Sequence, residues 1–183
     1  MSLQIRKSSE SDSSTIADVA AAAFGSEEGQ EIVELIDALA SDPSAQPSLS
    51  LVATMANKLV GHILFTKTRI ANSPRSARSA ILAPLSVHPE YQRQGIGGQL
   101  IREGVKLLRA TDIELLFVLG HPDYYPKFGF SPAAVEGLDA PRPIAPEHAD
   151  AWMVRELQPG VLGHVTGVVM FANALSDPAD WRE

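Results

Sequence analysis

Three glycines fall within four residues at Gly95, Gly97 and Gly98, just after Gln92-Arg93-Gln94. Glycine costs a helix about 1 kcal/mol relative to alanine. Opening a helix on three of them therefore calls for a compensating reason. The first turn of a helix presents free N–H groups and the positive end of the dipole, which suits an anion such as phosphate. Glycine lets a ligand come close to that backbone. Arg93 adds a cation and Gln92 an amide. The competing reading of so short a motif is a glycine turn that only lets the helix pack tightly on a sheet. Two other phosphate motifs are absent. G-x-G-x-x-G would need glycine where Leu100 stands, and no lysine follows the glycines as a P-loop requires.

A second group of candidates lies some twenty residues on: His121 and Tyr125, with Tyr124 as the immediate neighbour of the latter. Histidine titrates near neutrality and can serve as a base, or as a structural hydrogen-bonding group. A tyrosine, with a pKa of about 10, is protonated at neutral pH and can donate. His62 and His164 fall in predicted strands and read as structural, and His88 as a loop residue. Glu27, Glu28, Glu31 and Glu34 form a solvated helix face or attract a cationic amine. There is no cysteine. This excludes disulfides and a cysteine nucleophile, so a transferred group must pass directly or through another residue. The net charge of −7 argues against a general nucleic-acid binder. No apolar run approaches the ~20 residues needed to span a bilayer, and no membrane partner is expected. Met1–Glu10 alternates and carries charge, unlike a secretion signal. These features suggest a cytoplasmic protein, and no metal cluster is apparent.

The elements that position these residues follow from periodicity. Alternation at Leu3, Ile5 and Lys7 predicts a short strand. Ser11-Asp12-Ser13 offers helix caps, and a helix follows through Ile16, Val19, Ala20 and Phe24, with Gly25 at its end. A second helix carries Ile32, Leu35, Ile36 and Leu39 on one face. Leu49–Met55 and Leu59–Ile70 read as a hairpin across Asn57-Lys58. Ser79–Val87 is a strand with Pro84 inside it, which places an edge or bulge there. Gln94–Ala110 is a helix, and Leu115–Leu119 a buried strand. Trp152–Leu157 and Val161–Phe171 read as a final pair of strands around Pro159-Gly160. The order β-α-α-β-β-β-α-β-turn-β-β fits an α/β domain, one unit over residues 1–183, around one mixed sheet.

Gln92, Gly95 and Gly97 resemble the [QR]-x-x-G-x-[GA] signature of the GNAT superfamily of N-acetyltransferases. Val87-His88-Pro89-Glu90-Tyr91 is similar to that family's lead-in, and Tyr125-Pro126-Lys127-Phe128-Gly129-Phe130 to its Tyr-x-x-x-Gly-Phe pattern. The resemblance is sharp from Leu82 to Phe130. It implies a single domain with a mixed, mostly antiparallel sheet, a splayed parallel strand pair and flanking helices. It implies acetyl-CoA as co-substrate and an amine as acceptor. The coenzyme pyrophosphate would rest on Gln94, Gly95, Ile96, Gly97 and Gly98, beside Gln92 and Arg93. The pantetheine arm would run between strands ending at Val87 and Leu119, along Leu85, Ser86 and Val87. Tyr125 falls on the usual acid position. No carboxylate stands in Ile81–Ser86, so the base is open, and His121 is the candidate. A non-catalytic coenzyme A-binding or sensor domain of the same fold is the alternative. Family members are often dimers, and Val161–Phe171 offers a strand for cross-subunit pairing.

Overall fold

The computed structural model describes residues 2–176. Strand β1 (Leu3–Lys7) leads into helix α1 (Ser13–Ser41), then strands β2 (Leu49–Met55), β3 (Lys58–Ala71) and β4 (Ser79–Val87). Helix α2 (Ile96–Arg109) and strand β5 (Leu115–Leu119) follow. Four further short strands follow among the described residues: β6 (Ser131–Pro132), β7 (Leu138–Asp139), β8 (Trp152–Glu156) and β9 (Gly167–Met170). The sheet runs β1-β2-β3-β4-β5-β8-β6, with β9 on the far end of β3 and β7 on β9. Its pairs are antiparallel except β4–β5 and the two-residue β7–β9 contact.

The two predicted N-terminal helices are the halves of α1. Gly25 breaks the helical backbone between them with φ 85 and ψ −180. Gly29 lies so close to Ala21 that a Cβ there would stand 2.8 Å from the Ala21 carbonyl oxygen. Eight residues of straight helix would separate the two by about 12 Å, so the halves fold back on each other at Gly25. The first half buries Ile16 and Val19 against Val52 and Leu59. The second buries Leu35 and Leu39 against Leu64, Ile81 and Phe117.

On the opposite face of the sheet, α2 buries Leu100, Ile101, Val105 and Leu108 against Ile63, Phe65, Leu82 and Leu116. These positions recur at helical spacing, as an amphipathic helix over a sheet requires.

The final strands differ from the sequence expectation. Val161–Phe171 does not form one strand paired with Trp152–Leu157. Only Gly167–Met170 is extended, and it pairs with β3 and β7, while β8 pairs with β5 and β6. The Glu156 carboxylate accepts hydrogen bonds from the Val161 and Leu162 N–H groups at 2.9 and 2.8 Å, which holds this stretch in a turn. His164 therefore sits exposed in a turn rather than in a strand. At Val168 both edges of β9 are occupied, by Ala71 and by Asp139, so that residue has no free edge for pairing between subunits.

Candidate active site

Strand β4 meets β5 over only three residues. Ser79, Ala80 and Ile81 pair with Leu115, Leu116 and Phe117. Beyond Ile81 the two strands part, and β4 continues to Val87 paired only with β3. The cause lies in β4 itself. Ile63 faces Leu85 and Phe65 faces Leu82, so Ala83 and Pro84 together stand opposite Leu64. This is a bulge, where a residue without an N–H breaks no ladder hydrogen bond.

The open lip of β4 runs directly into the glycine turn. Pro89–Tyr91 forms one tight turn, capped by His88, whose Nδ1 accepts from the Glu90 N–H at 3.2 Å. Gln92 Nε2 donates to the Val87 carbonyl at 2.8 Å and ties the turn back to the strand end. Arg93 and Gly95 both take left-handed backbone, with φ of 63 and 82, and α2 then starts at Ile96. A cleft of about 280 Å³ opens here. Its walls are Leu85 and Val87 from β4, Tyr91, Gln92, Arg93 and Gly95 from the turn, Ile96 and Gly97 from α2, and Tyr124.

Seven of the ten residues predicted to hold a coenzyme line this cleft. Ser86, Gln94 and Gly98 do not. Ser86 is buried and is the register partner of His62. Gln94 donates back to the Glu90 carbonyl. Gly98 faces the protein, where a Cβ would sit 2.9 Å from the Phe128 ring. Both readings of the glycines thus have a residue: Gly97 borders the cleft and Gly98 serves packing.

Behind Tyr124, outside the cleft lining, the chain makes the turn Tyr125–Phe128, which ends at Gly129 with φ 88. Tyr124 and Tyr125 donate their N–H groups to the His121 carbonyl at 3.1 and 3.3 Å. Arg155 Nη1 donates to the Phe128 carbonyl at 2.6 Å and fixes the turn on β8. The Tyr125 ring packs on Gly120, at the end of β5, and edge-on to Phe130 with centroids 5.7 Å apart. Burial pushes the Tyr125 phenol well above the ordinary tyrosine range, so it stays protonated at neutral pH. The His121 side chain is exposed just past the β5 terminus.

His62 is buried and its Nε2 lies 2.9 Å from Ser50 Oγ. Desolvation lowers it to about 4, which makes it a neutral structural group. Glu27, Glu28, Glu31 and Glu34 are all exposed, as a solvated face requires. A larger cavity of about 510 Å³ lies at the opposite end of β4 and β5, among Arg78, Asp112 and Glu114. Arg75–Glu114 and Arg78–Asp112 ion pairs occupy that end. Among the described residues no group of three or more potential metal ligands is present, and no helix is long and apolar enough to cross a membrane.

A strand pair that splays beside a glycine-opened helix is the arrangement the GNAT resemblance implied, and comparison with known proteins agrees. The sequence model of the acetyltransferase (GNAT) domain matches residues 4–133. The uncharacterized N-acetyltransferase YjhQ of Escherichia coli K12 is 46% identical over 159 residues, 85% of this chain and 86% of that protein. YhbS, an uncharacterized N-acetyltransferase of the same strain, is 31% identical over 125 residues, 68% and 72% of the two chains. The crystal structure of Escherichia coli YhbS in complex with CoA has a TM-score of 0.84 at 27% identity, covering 96% of this chain and 92% of that one. A GNAT family acetyltransferase from Brucella melitensis in complex with acetyl-CoA has a TM-score of 0.73 at 31% identity, covering 95% and 98%. The chain belongs to the GNAT acetyltransferase family. It is an N-acetyltransferase by family and fold.

Two contributors escaped the sequence reading. Arg155 lies about thirty residues from the turn it fixes, and nothing local signals that contact. Tyr124 stands beside the motif tyrosine, and spacing alone does not separate their positions.

Proposed function

We propose that this chain binds acetyl-CoA in the cleft between the β4 lip and the first turn of α2 and moves the acetyl group directly to a primary amine. The observation that carries this reading is the coincidence of two features: the strands part at Ile81 and Phe117, and the freed lip leads into the helix N-terminus. The complexes of the two structural neighbours with CoA and acetyl-CoA support it. The pyrophosphate takes the N–H groups of the glycine turn, and the pantetheine amides take backbone groups along Leu85–Val87.

In the transfer, the neutral amine attacks the thioester carbonyl carbon, the C–S bond breaks, and coenzyme A leaves as the thiolate. Tyr125 donates a hydrogen bond to that sulfur. Its raised pKa makes full proton transfer to a thiolate, whose acid is near 8.5, unfavourable, so stabilisation by donation is its role. His121, at the exit of β5, takes the amine proton. No cysteine is present to carry an acyl-enzyme. The acceptor approaches from the α1 face, where a cavity of about 440 Å³ is lined by Ile144, Trp152 and Val168 among others. Residues 1–183 act as one catalytic domain in the cytoplasm.

Calorimetric titration with CoA tests the reading. Wild type binds in the micromolar range, and Gly97→Trp, which fills the cleft beside Tyr124, does not. Absence of binding by wild type would overturn the proposal.

A further inference from the structure

Tyr124 and Tyr125 are adjacent in sequence but serve different places. Their rings stand at 84° with centroids 5.1 Å apart. Tyr125 points to Gly120 at the end of β5. Tyr124 points the other way, over the first turn of α2, where a Cβ on Gly97 would lie 2.7 Å from its hydroxyl oxygen. Tyr124 lines the cleft and Tyr125 does not. The ring of Tyr124 is fixed edge-on to Phe128 at 5.1 Å, and Lys127 Nζ lies 5.8 Å from its centroid. Arg102 sits 5.1 Å over the Phe128 ring, so two cations flank this corner.

We propose that Tyr124 is a coenzyme-binding residue whose hydroxyl donates a hydrogen bond to the pyrophosphate at the first turn of α2, leaving Tyr125 to the reacting thioester end. This rests on the coenzyme A reading above. The hydroxyl lies beside a helix N-terminus, where the dipole draws an anion. Burial raises the Tyr124 phenol, and Arg102 opposes this only in part, so the group remains a donor. The arrangement also explains glycine at position 97. A methyl group there would press on the hydroxyl, whereas the packing role belongs to Gly98 against Phe128.

The test is titration of CoA into wild type and Tyr124→Phe, with thermal melts as a folding control. Tyr124→Phe weakens CoA about tenfold, as loss of a hydrogen bond to a charged group does. The fragment 3′-phosphoadenosine 5′-diphosphate keeps the pyrophosphate and lacks the pantetheine arm. It loses the same factor in Tyr124→Phe, and an unchanged fragment affinity overturns the pyrophosphate assignment. Gly97→Ala also weakens CoA, and adding Tyr124→Phe to it costs little more. Additive losses would show that the hydroxyl and Gly97 do not share a site. Equal CoA affinity in wild type and Tyr124→Phe overturns the inference while leaving the coenzyme reading intact. Wild type that binds no CoA overturns both.

Discussion

Tyr125 is partly buried and His62 fully so, and desolvation acts on the two in different ways. For Tyr125 the desolvated phenol is a better hydrogen-bond donor to a developing anion than a proton source. Tyr125→Phe is therefore expected to lower kcat by about a hundredfold, the usual cost of one donor to a developing charge, with the KM for acetyl-CoA unchanged. Steady-state kinetics with any accepted amine checks this, and an unchanged kcat would remove Tyr125 from the reaction. For His62 the consequence is stability. The folded group titrates at about 4 against 6.5 for the free side chain, so the unfolded chain binds more protons between those values. The stabilisation is complete above pH 6.5 and is lost as pH falls toward 4. Between pH 7 and pH 5 this amounts to about 2 kcal/mol. Urea unfolding at the two pH values should show that loss in wild type and not in His62→Gln.

At the scale of elements, α2 has two ends with different demands. Its first turn borders the cleft, where Gly95 takes left-handed backbone and Gly97 leaves room for the Tyr124 hydroxyl. Its middle must approach β3, and Gly104 lies against Phe65 so closely that any Cβ would collide with the ring. Alanine is the better helix former by about 1 kcal/mol, yet overpacking costs about 1–3 kcal/mol. Gly104→Ala is thus expected to lower the melting temperature despite the gain in propensity, and a rise would mean that Phe65 moves aside freely. The bulge at Ala83-Pro84 shows the same logic in a strand, since it releases β4 from β5 where the cleft begins.

For the molecule as a whole, Trp152 ties the C-terminal strands to the sheet. It stacks on Phe117 with centroids 5.2 Å apart, touches Phe171 at 5.9 Å, and donates from Nε1 to the Leu138 carbonyl at 2.9 Å. One side chain thereby joins β5, β7, β8 and the segment after β9. Trp152→Ala should cost about 3–5 kcal/mol, read as a lowered midpoint in chemical denaturation. An effect below 1 kcal/mol would show that these strands hold without it.

The local elements were legible because their signals are local. Three glycines beside an amphipathic run mark the start of a helix, Pro84 marks a bulge, and Gly25 marks a helix break, each through constraints carried by one or two residues. The lining of the cleft was legible where it is contiguous, since seven of the residues singled out between Leu85 and Gly97 border it. Tertiary structure alone decided the rest. It set which glycine faces the cleft and which faces Phe128, which way each adjacent tyrosine turns, and that Arg155 fixes the turn bearing them. It also sent β9 to β3 instead of β8, through the Glu156 carboxylate bound to Val161 and Leu162. Such choices depend on groups far apart in the chain, and periodicity along a sequence carries no record of which distant surface a side chain will meet.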